Sequence, residues 1–186
     1  QIKSDEAAYA PATPLLQAAA ADPATFRGGD TPSAGDLAVL LAEAKARWAA
    51  SGLDAASMAK LDSVTVQLAD LPGAALGEEV SGTVFVDLDA AGRGWFIDAT
   101  PQDNAEFHFV RSLGEWIADA HSPAFGRMDL LTTVMHELGH VLGFDDQQAQ
   151  RNSANLMTET LSTGVRRSPL TESMIEEQPI LSLRQQ

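Results

Sequence analysis

Apolar residues recur along this chain in two rhythms, and each rhythm predicts a different element. Leu37, Leu40, Leu41, Ala44 and Trp48 fall at three- and four-residue intervals, which gathers them on one face of a helix over residues 33–50. Ser33 or Asp36 supplies its cap, and Ser51-Gly52 ends it. Asp54 opens a second, short helix through Met58 and Leu61. The rhythm then changes to a period of two in Val64-Thr65-Val66-Gln67-Leu68, a strand closed by Asp70, Pro72 and Gly73. Residues 83–89 alternate in the same way, with Val84, Val86 and Leu88 on one side. Gly92 and Gly94 make a turn into a third short strand over residues 94–98, and residues 99–108 read as loop. Helical spacing returns over residues 128–142, where Leu131, Val134, Met135, Leu138 and Leu142 form an apolar face.

Either side of this stretch the pattern fades. Residues 1–32 are rich in Ala, Pro, Thr, Asp and Gly, which predicts an arm or linker rather than core. Residues 33–167 are the expected folded domain, and residues 168–186 the expected polar tail. A length of 186 residues fits one domain with its own core. A formal charge of −14 argues against nucleic acid or an anionic membrane as a partner, since both reward Lys and Arg. No apolar run has the length of a membrane span. A first residue other than Met suits a processed chain or a domain of something larger. With no cysteine present, disulfides and thiolate metal sites are excluded, so any zinc here must be held by His and carboxylate.

That restriction matters because residues 136–146 read His-Glu-Leu-Gly-His-Val-Leu-Gly-Phe-Asp-Asp. His136 and His140 stand four apart, so a helix projects both from one face toward a single metal ion. Glu137 lies beside them as a carboxylate able to take a proton from a water on that metal. Catalytic zinc needs a third protein ligand and an open position. In one zinc-protease design a later Glu supplies it, which makes Glu159 a candidate. In the other the helix stops at a Gly and the ligand follows three residues on, which selects Gly143 and Asp146. Asp145 is the neighbouring alternative, readable as a turn residue or a partner to a His. Met157 follows at a distance suited to a tight turn that sets its thioether as an apolar floor under the imidazoles.

On this HExxHxxGxxD run and the later Asn155-Leu156-Met157, the chain resembles the metzincin clan of zinc peptidases, closest to its matrixin-like and snapalysin-like members. It looks more particularly like the matrixin-like domains within large secreted or surface proteins of bacteria. The resemblance is specific over residues 128–165 and looser from Ser33 through Phe107. It implies an α+β, zincin-type catalytic domain: a small twisted mixed sheet on two main helices, with an irregular C-terminal part below the cleft. It implies one catalytic zinc ion on His136, His140 and Asp146, with Glu137 as general base in peptide-bond hydrolysis and Met157 in the Met-turn. It also implies protein or peptide substrates, an extracellular setting, and a monomer or a module of a longer chain. Substrate in that clan lies extended along an edge strand, for which residues 83–89 (Thr83, Val84, Phe85) or 94–98 are candidates. The segment after the Met-turn walls the pocket beyond the cut, which points to residues 160–165, with Thr160 and Leu161 foremost. Two positions depart from the commoner pattern: Asp146 stands where a His is usual, and Glu159 where some members carry a Tyr. Oxyanion stabilisation is then left to zinc and backbone donors.

Plainer readings stand beside these. His108 and His121 fall in loop-like sequence and read as surface residues. Asp87 and Asp89 read as a solvated strand face; a structural calcium site using them with Asp98 or Asp103 lacks the dense oxygen spacing such sites show. Trp48, Trp95 and Trp116 read as core aromatics. Asp5, Asp22 or Asp30 could reach the metal from the arm, as acidic residues do in some zymogens of the clan. A non-catalytic or self-processing zinc domain of a larger surface protein is the rival function, and the intact Glu137 speaks against a retired site.

Overall fold

A computed structural model describes residues 15–19, 31–148 and 154–169 of the chain. These residues form an α+β arrangement of three helices and a mixed sheet. The first helix, α1 (Ala34–Ala50), starts where the helical period starts. Ser33 and Asp36 cap it together: the Asp36 N–H donates to Ser33 Oγ at 3.2 Å, and the Ser33 N–H donates to Asp36 Oδ2 at 2.8 Å. Two backbone donors that a helix start leaves unpaired are thereby satisfied. Leu37, Leu40, Ala44 and Trp48 are its buried side. The short α2 (Ala55–Asp62), capped by Asp54, adds Leu61 to the same core.

The main sheet is built from β1 (Leu15–Ala18), β2 (Thr65–Ala69), β3 (Ala75–Val80), β4 (Thr83–Asp87) and, far along the chain, Thr160–Leu161, in the order β2-β4-β3-β1 and then Thr160–Leu161. Strands β2 and β4 run parallel, and β3 returns antiparallel to β4 through a turn at Ser81-Gly82. Ser81 and Gly82 both carry positive φ there, at 52° and 82°, which is why a glycine shares that turn. Two small sheets complete the body. One pairs β5 (Trp95–Phe96) with Met128–Asp129 in parallel; the other joins β6 (His108–Val110), β7 (Glu115–Ile117) and Val165–Arg166. In chain order the remaining elements are β8 (Met128–Asp129), α3 (Leu130–Leu142), β9 (Thr160–Leu161) and β10 (Val165–Arg166).

Helix α3 is central. Every residue from Leu130 to His140 is buried, because α1 covers one side of the helix and β3 and β4 cover another. Trp48 ties the two helices by donating its indole N–H to the Met135 carbonyl at 2.9 Å. The N-terminus of α3 is pinned by its cap, Asp129, which accepts from the Thr132 N–H and from the buried Arg166 guanidinium at 2.8 and 3.0 Å. Arg166 also meets Asp98 at 2.8 Å and lies 4.4 Å from the centre of the Phe107 ring. Burial alone would lower the pKa of Arg166, but Asp129 first and Asp98 second more than reverse this and raise it, so the cation is held firmly.

The tertiary structure departs from sequence expectation in four places. Leu15–Ala18, expected within an arm, is an inner strand of the main sheet with Leu16 and Ala18 buried. A four-residue strand between two partners has too little alternation of its own to be legible. Strand β4 is interior rather than edge: Thr83, Val84 and Phe85 pair with β2 on one side and β3 on the other, so none of them offers a free edge. The stretch at 94–98 yields only Trp95–Phe96, both buried and paired with β8. Ser168 belongs to the body, not to a tail, being buried and accepting from Arg47 Nη1 at 3.0 Å. Asp5, Asp22, Asp30 and residues 170–186 lie outside the described residues.

Candidate metal centre

The centre is assembled by the end of α3 and the turn that follows it. His136 and His140 sit one helical turn apart, with ring centroids 4.8 Å from each other. Each ring is oriented by a carbonyl. His136 Nδ1 is 2.8 Å from the Leu156 oxygen, and His140 Nδ1 is 2.8 Å from the Phe144 oxygen. A carbonyl only accepts, so each Nδ1 donates to it and each Nε2 faces inward.

Gly143 makes this possible. Its φ of 96° ends α3 in the left-handed region, and the Phe144 N–H folds back onto the Gly139 carbonyl at 3.0 Å. The reversal aims the Phe144 carbonyl at His140 and returns Asp146 to the rings. Asp146 Oδ1 lies 3.0 Å from His136 Nε2 and 3.3 Å from His140 Nε2, and the two Nε2 atoms are 3.0 Å apart. Three such atoms at these separations need a proton or a cation among them. Tetrahedral zinc with ligands at ~2.0–2.1 Å sets those ligands about 3.3 Å apart, so the triangle fits the ion. Among the described residues these three form the one group of His and carboxylate able to hold a metal. Asp145 is exposed, and Glu159 is not part of the group. Burial works to raise the Asp146 carboxyl pKa, yet hydrogen bonds from both imidazoles outweigh it and hold the group well below the ordinary range. His140 is raised: burial opposes the charged ring, but Asp146 and the Phe144 carbonyl favour it more.

Met157 lies in a tight turn packed on α3. The Met157 N–H donates to Asn155 Oδ1 at 2.8 Å, and the Thr158 N–H closes the turn onto the Asn155 carbonyl at 3.1 Å. The Asp146 side of the loop is joined to this turn through Gln147, whose N–H donates to the Met157 carbonyl at 2.8 Å. The buried Met157 thioether abuts α3 at Gly139, where an added Cβ would lie 2.9 Å from Met157 Cε. Gly139 therefore permits the close approach of turn to helix. Trp48 supports the same spot, stacking on Phe144 with centroids 5.5 Å apart.

Glu137 points toward the sheet and is fully buried. Its Oε1 accepts the Leu16 N–H at 3.4 Å, and its Oε2 has no hydrogen-bond partner among the described residues. Burial pushes its pKa well up; the Leu16 N–H opposes this, while Asp146, Glu79 and Glu78 raise it further. Gly77 of β3 faces this carboxylate so closely that a Cβ would lie 2.8 Å from Glu137 Oε1. Of the residues expected to bind substrate, Thr160 and Leu161 form β9 and pair with β1, whereas Thr83, Val84 and Phe85 are committed to the sheet interior. Leu16, Gly77 and Gly139 were not readable as site residues; Gly139 alone lies inside the motif.

The remaining candidates serve structure. Asp87 accepts from the N–H groups of Leu71, Asp89 and Ala91, and Asp98 is paired with Arg166. His108 and His121 are exposed, apart from the centre. Trp48 and Trp95 are core residues, while Trp116 is half-buried against Phe109. Comparison of the chain with models of known families, with curated proteins and with solved structures found no match.

Proposed function

We propose that this chain is a zinc endopeptidase of metzincin design, acting on protein or peptide substrates. The observation that carries the reading is the convergence of His136 Nε2, His140 Nε2 and Asp146 Oδ1 at 3.0–3.3 Å, beside a buried Glu137. When bound, zinc supplies Lewis acidity, acidifying a water and polarising a carbonyl. The chain's own groups do the rest. Leu156 and Phe144 orient both imidazoles, and Met157 packs on the same helix at Gly139. Glu137 has a carboxylate oxygen available to accept a proton from water, and burial raises its basicity. It then carries that proton to the leaving nitrogen. The resemblance to domains of large bacterial surface proteins makes a secreted or surface location the accompanying proposal. No described helix is long and apolar enough to cross a membrane.

The test compares the purified chain with Glu137→Gln, each given zinc and an unfolded protein. Both should bind one zinc by metal analysis, and only the unaltered chain should cleave. Equal cleavage by both, or zinc binding with cleavage by neither, refutes the proposal; the latter result would favour a non-catalytic zinc domain.

A further inference from the structure

Strand β1 is held in an unusual way. It lies between β3 and β9, antiparallel to the first and parallel to the second. Its N–H groups alternate between the two walls. The Gln17 N–H donates to the Glu159 carbonyl at 2.9 Å, Ala18 to Ala74 at 2.8 Å and Ala19 to Leu161 at 2.8 Å. By that alternation the Leu16 N–H belongs on the β3 side. There it donates to Glu137 Oε1 at 3.4 Å. The register agrees, because Leu16 stands opposite Gly77, the residue whose missing side chain lets β3 approach Glu137.

In peptide hydrolysis the general base must pass its proton to the leaving nitrogen, and so needs that nitrogen within hydrogen-bond reach. The backbone nitrogen that the structure sets on Glu137 is that of Leu16. The geometry points to Leu15–Leu16 as a peptide bond of this chain seated for hydrolysis by its own centre, with Leu16 as the residue after the cut. This inference rests on the peptidase reading given above and names its first substrate. Water oxygen adds to the Leu15 carbonyl carbon, and the bond to the Leu16 nitrogen breaks. Both water protons end on that nitrogen, the first carried by Glu137, leaving a Leu15 carboxylate and a Leu16 ammonium. No oxidant or further reactant is involved.

The same seat defines a preference. Leu16 is 1% exposed and packed in the main core, Gln17 is exposed, and Ala18 is 4% exposed. The groove between β3 and β9 thus takes an apolar side chain directly after the cut, tolerates a polar one next, and a small one third. While β1 is in place Glu137 is fully buried, so a foreign chain needs β1 to leave first.

The full chain, purified without metal, tests this as the unaltered protein, Glu137→Gln, Leu16→Met and Leu16→Lys. After zinc is added, mass spectrometry should show a new N-terminus at Leu16, formed at a rate independent of protein concentration. Glu137→Gln should slow it by at least roughly 100-fold. Leu16→Met should keep the cut and Leu16→Lys should lose it. In metal-free Glu137→Gln, hydrogen exchange at the amides of Gln17, Ala18 and Ala19 should be slow, a readout that needs no activity. Fast exchange there, cleavage at another bond, or a rate that rises with protein concentration would overturn the inference. If the zinc-loaded chain cuts unfolded protein but leaves Leu15–Leu16 intact, the inference fails and the peptidase reading survives. If it cuts neither, both fail.

Discussion

Alanine in place of Gly139 sets two effects of known sign against each other. In a helix interior, Gly→Ala is favourable by about 1 kcal/mol, because alanine has less backbone freedom to lose. At Gly139 the added methyl would lie 2.9 Å from Met157 Cε and 3.3 Å from Trp48 Cζ2, and would press on the Met157 sulfur as well. Overpacking of this kind costs ~1–3 kcal/mol, with the upper part of the range fitting a neighbour clamped on both sides. The Met157 backbone is held by Asn155 on one side and Gln147 on the other and its side chain is buried, while Trp48 is fixed by its bond to Met135. The net expectation is a loss of about 1–2 kcal/mol, from the difference of those two effects. Zinc affinity should fall by roughly 10-fold or more, because the Met157 turn carries the Leu156 carbonyl that orients His136. Gly35→Ala is the control, since its Cβ meets only Ser33 Oγ at 3.5 Å. Urea unfolding with and without zinc, and competition with a zinc chelator, measure both quantities. If Gly139→Ala is as stable as Gly35→Ala and binds zinc as well as the unaltered chain, the close approach of the Met157 turn to α3 does not matter as argued.

Other expectations follow from the same geometry. Asp146→Ala should weaken zinc binding by at least roughly 10-fold while Asp145→Ala largely keeps it, as equilibrium dialysis would show; the reverse order would reassign the third ligand. Arg166→Met should destabilise the fold by ~3–5 kcal/mol, because Asp98 and Asp129 would be left buried without their cation. A loss under about 1 kcal/mol in chemical denaturation would contradict this. Ser33→Ala should cost ~1 kcal/mol through loss of the α1 cap. The Ser33 hydroxyl and N–H hold the Asp36 carboxyl below its ordinary value of 3.8. A lowered folded pKa means that this contribution is complete above that value and is lost as pH falls through the folded one. The difference in thermal stability between the variant and the unaltered chain should therefore narrow on acidification, leaving the pH-independent loss of the hydroxyl that accepts the Asp36 N–H.

What the sequence determined was whatever depends on neighbours along the chain. Helices α1 and α3 were legible because a 3.6-residue period is a local property, and so were Ser33 and Asp54 as caps. The His pair was legible because four residues are one turn, and Gly143 because a left-handed stop favours glycine. What the tertiary structure decided was every contact between distant segments. It turned Asp146 rather than Asp145 toward the rings, since only the path after Gly143 fixes which carboxylate returns. It put Val84 and Phe85 inside the sheet, because a strand's own alternation does not say whether it has one neighbour or two. It brought Arg166 to Asp98 and Asp129 across long stretches of chain. It also set Leu15–Ala18 between β3 and β9, with the Leu16 amide on Glu137. The four residues carry almost no signal of their own, because their hydrogen bonds are made entirely to segments that lie far away in sequence.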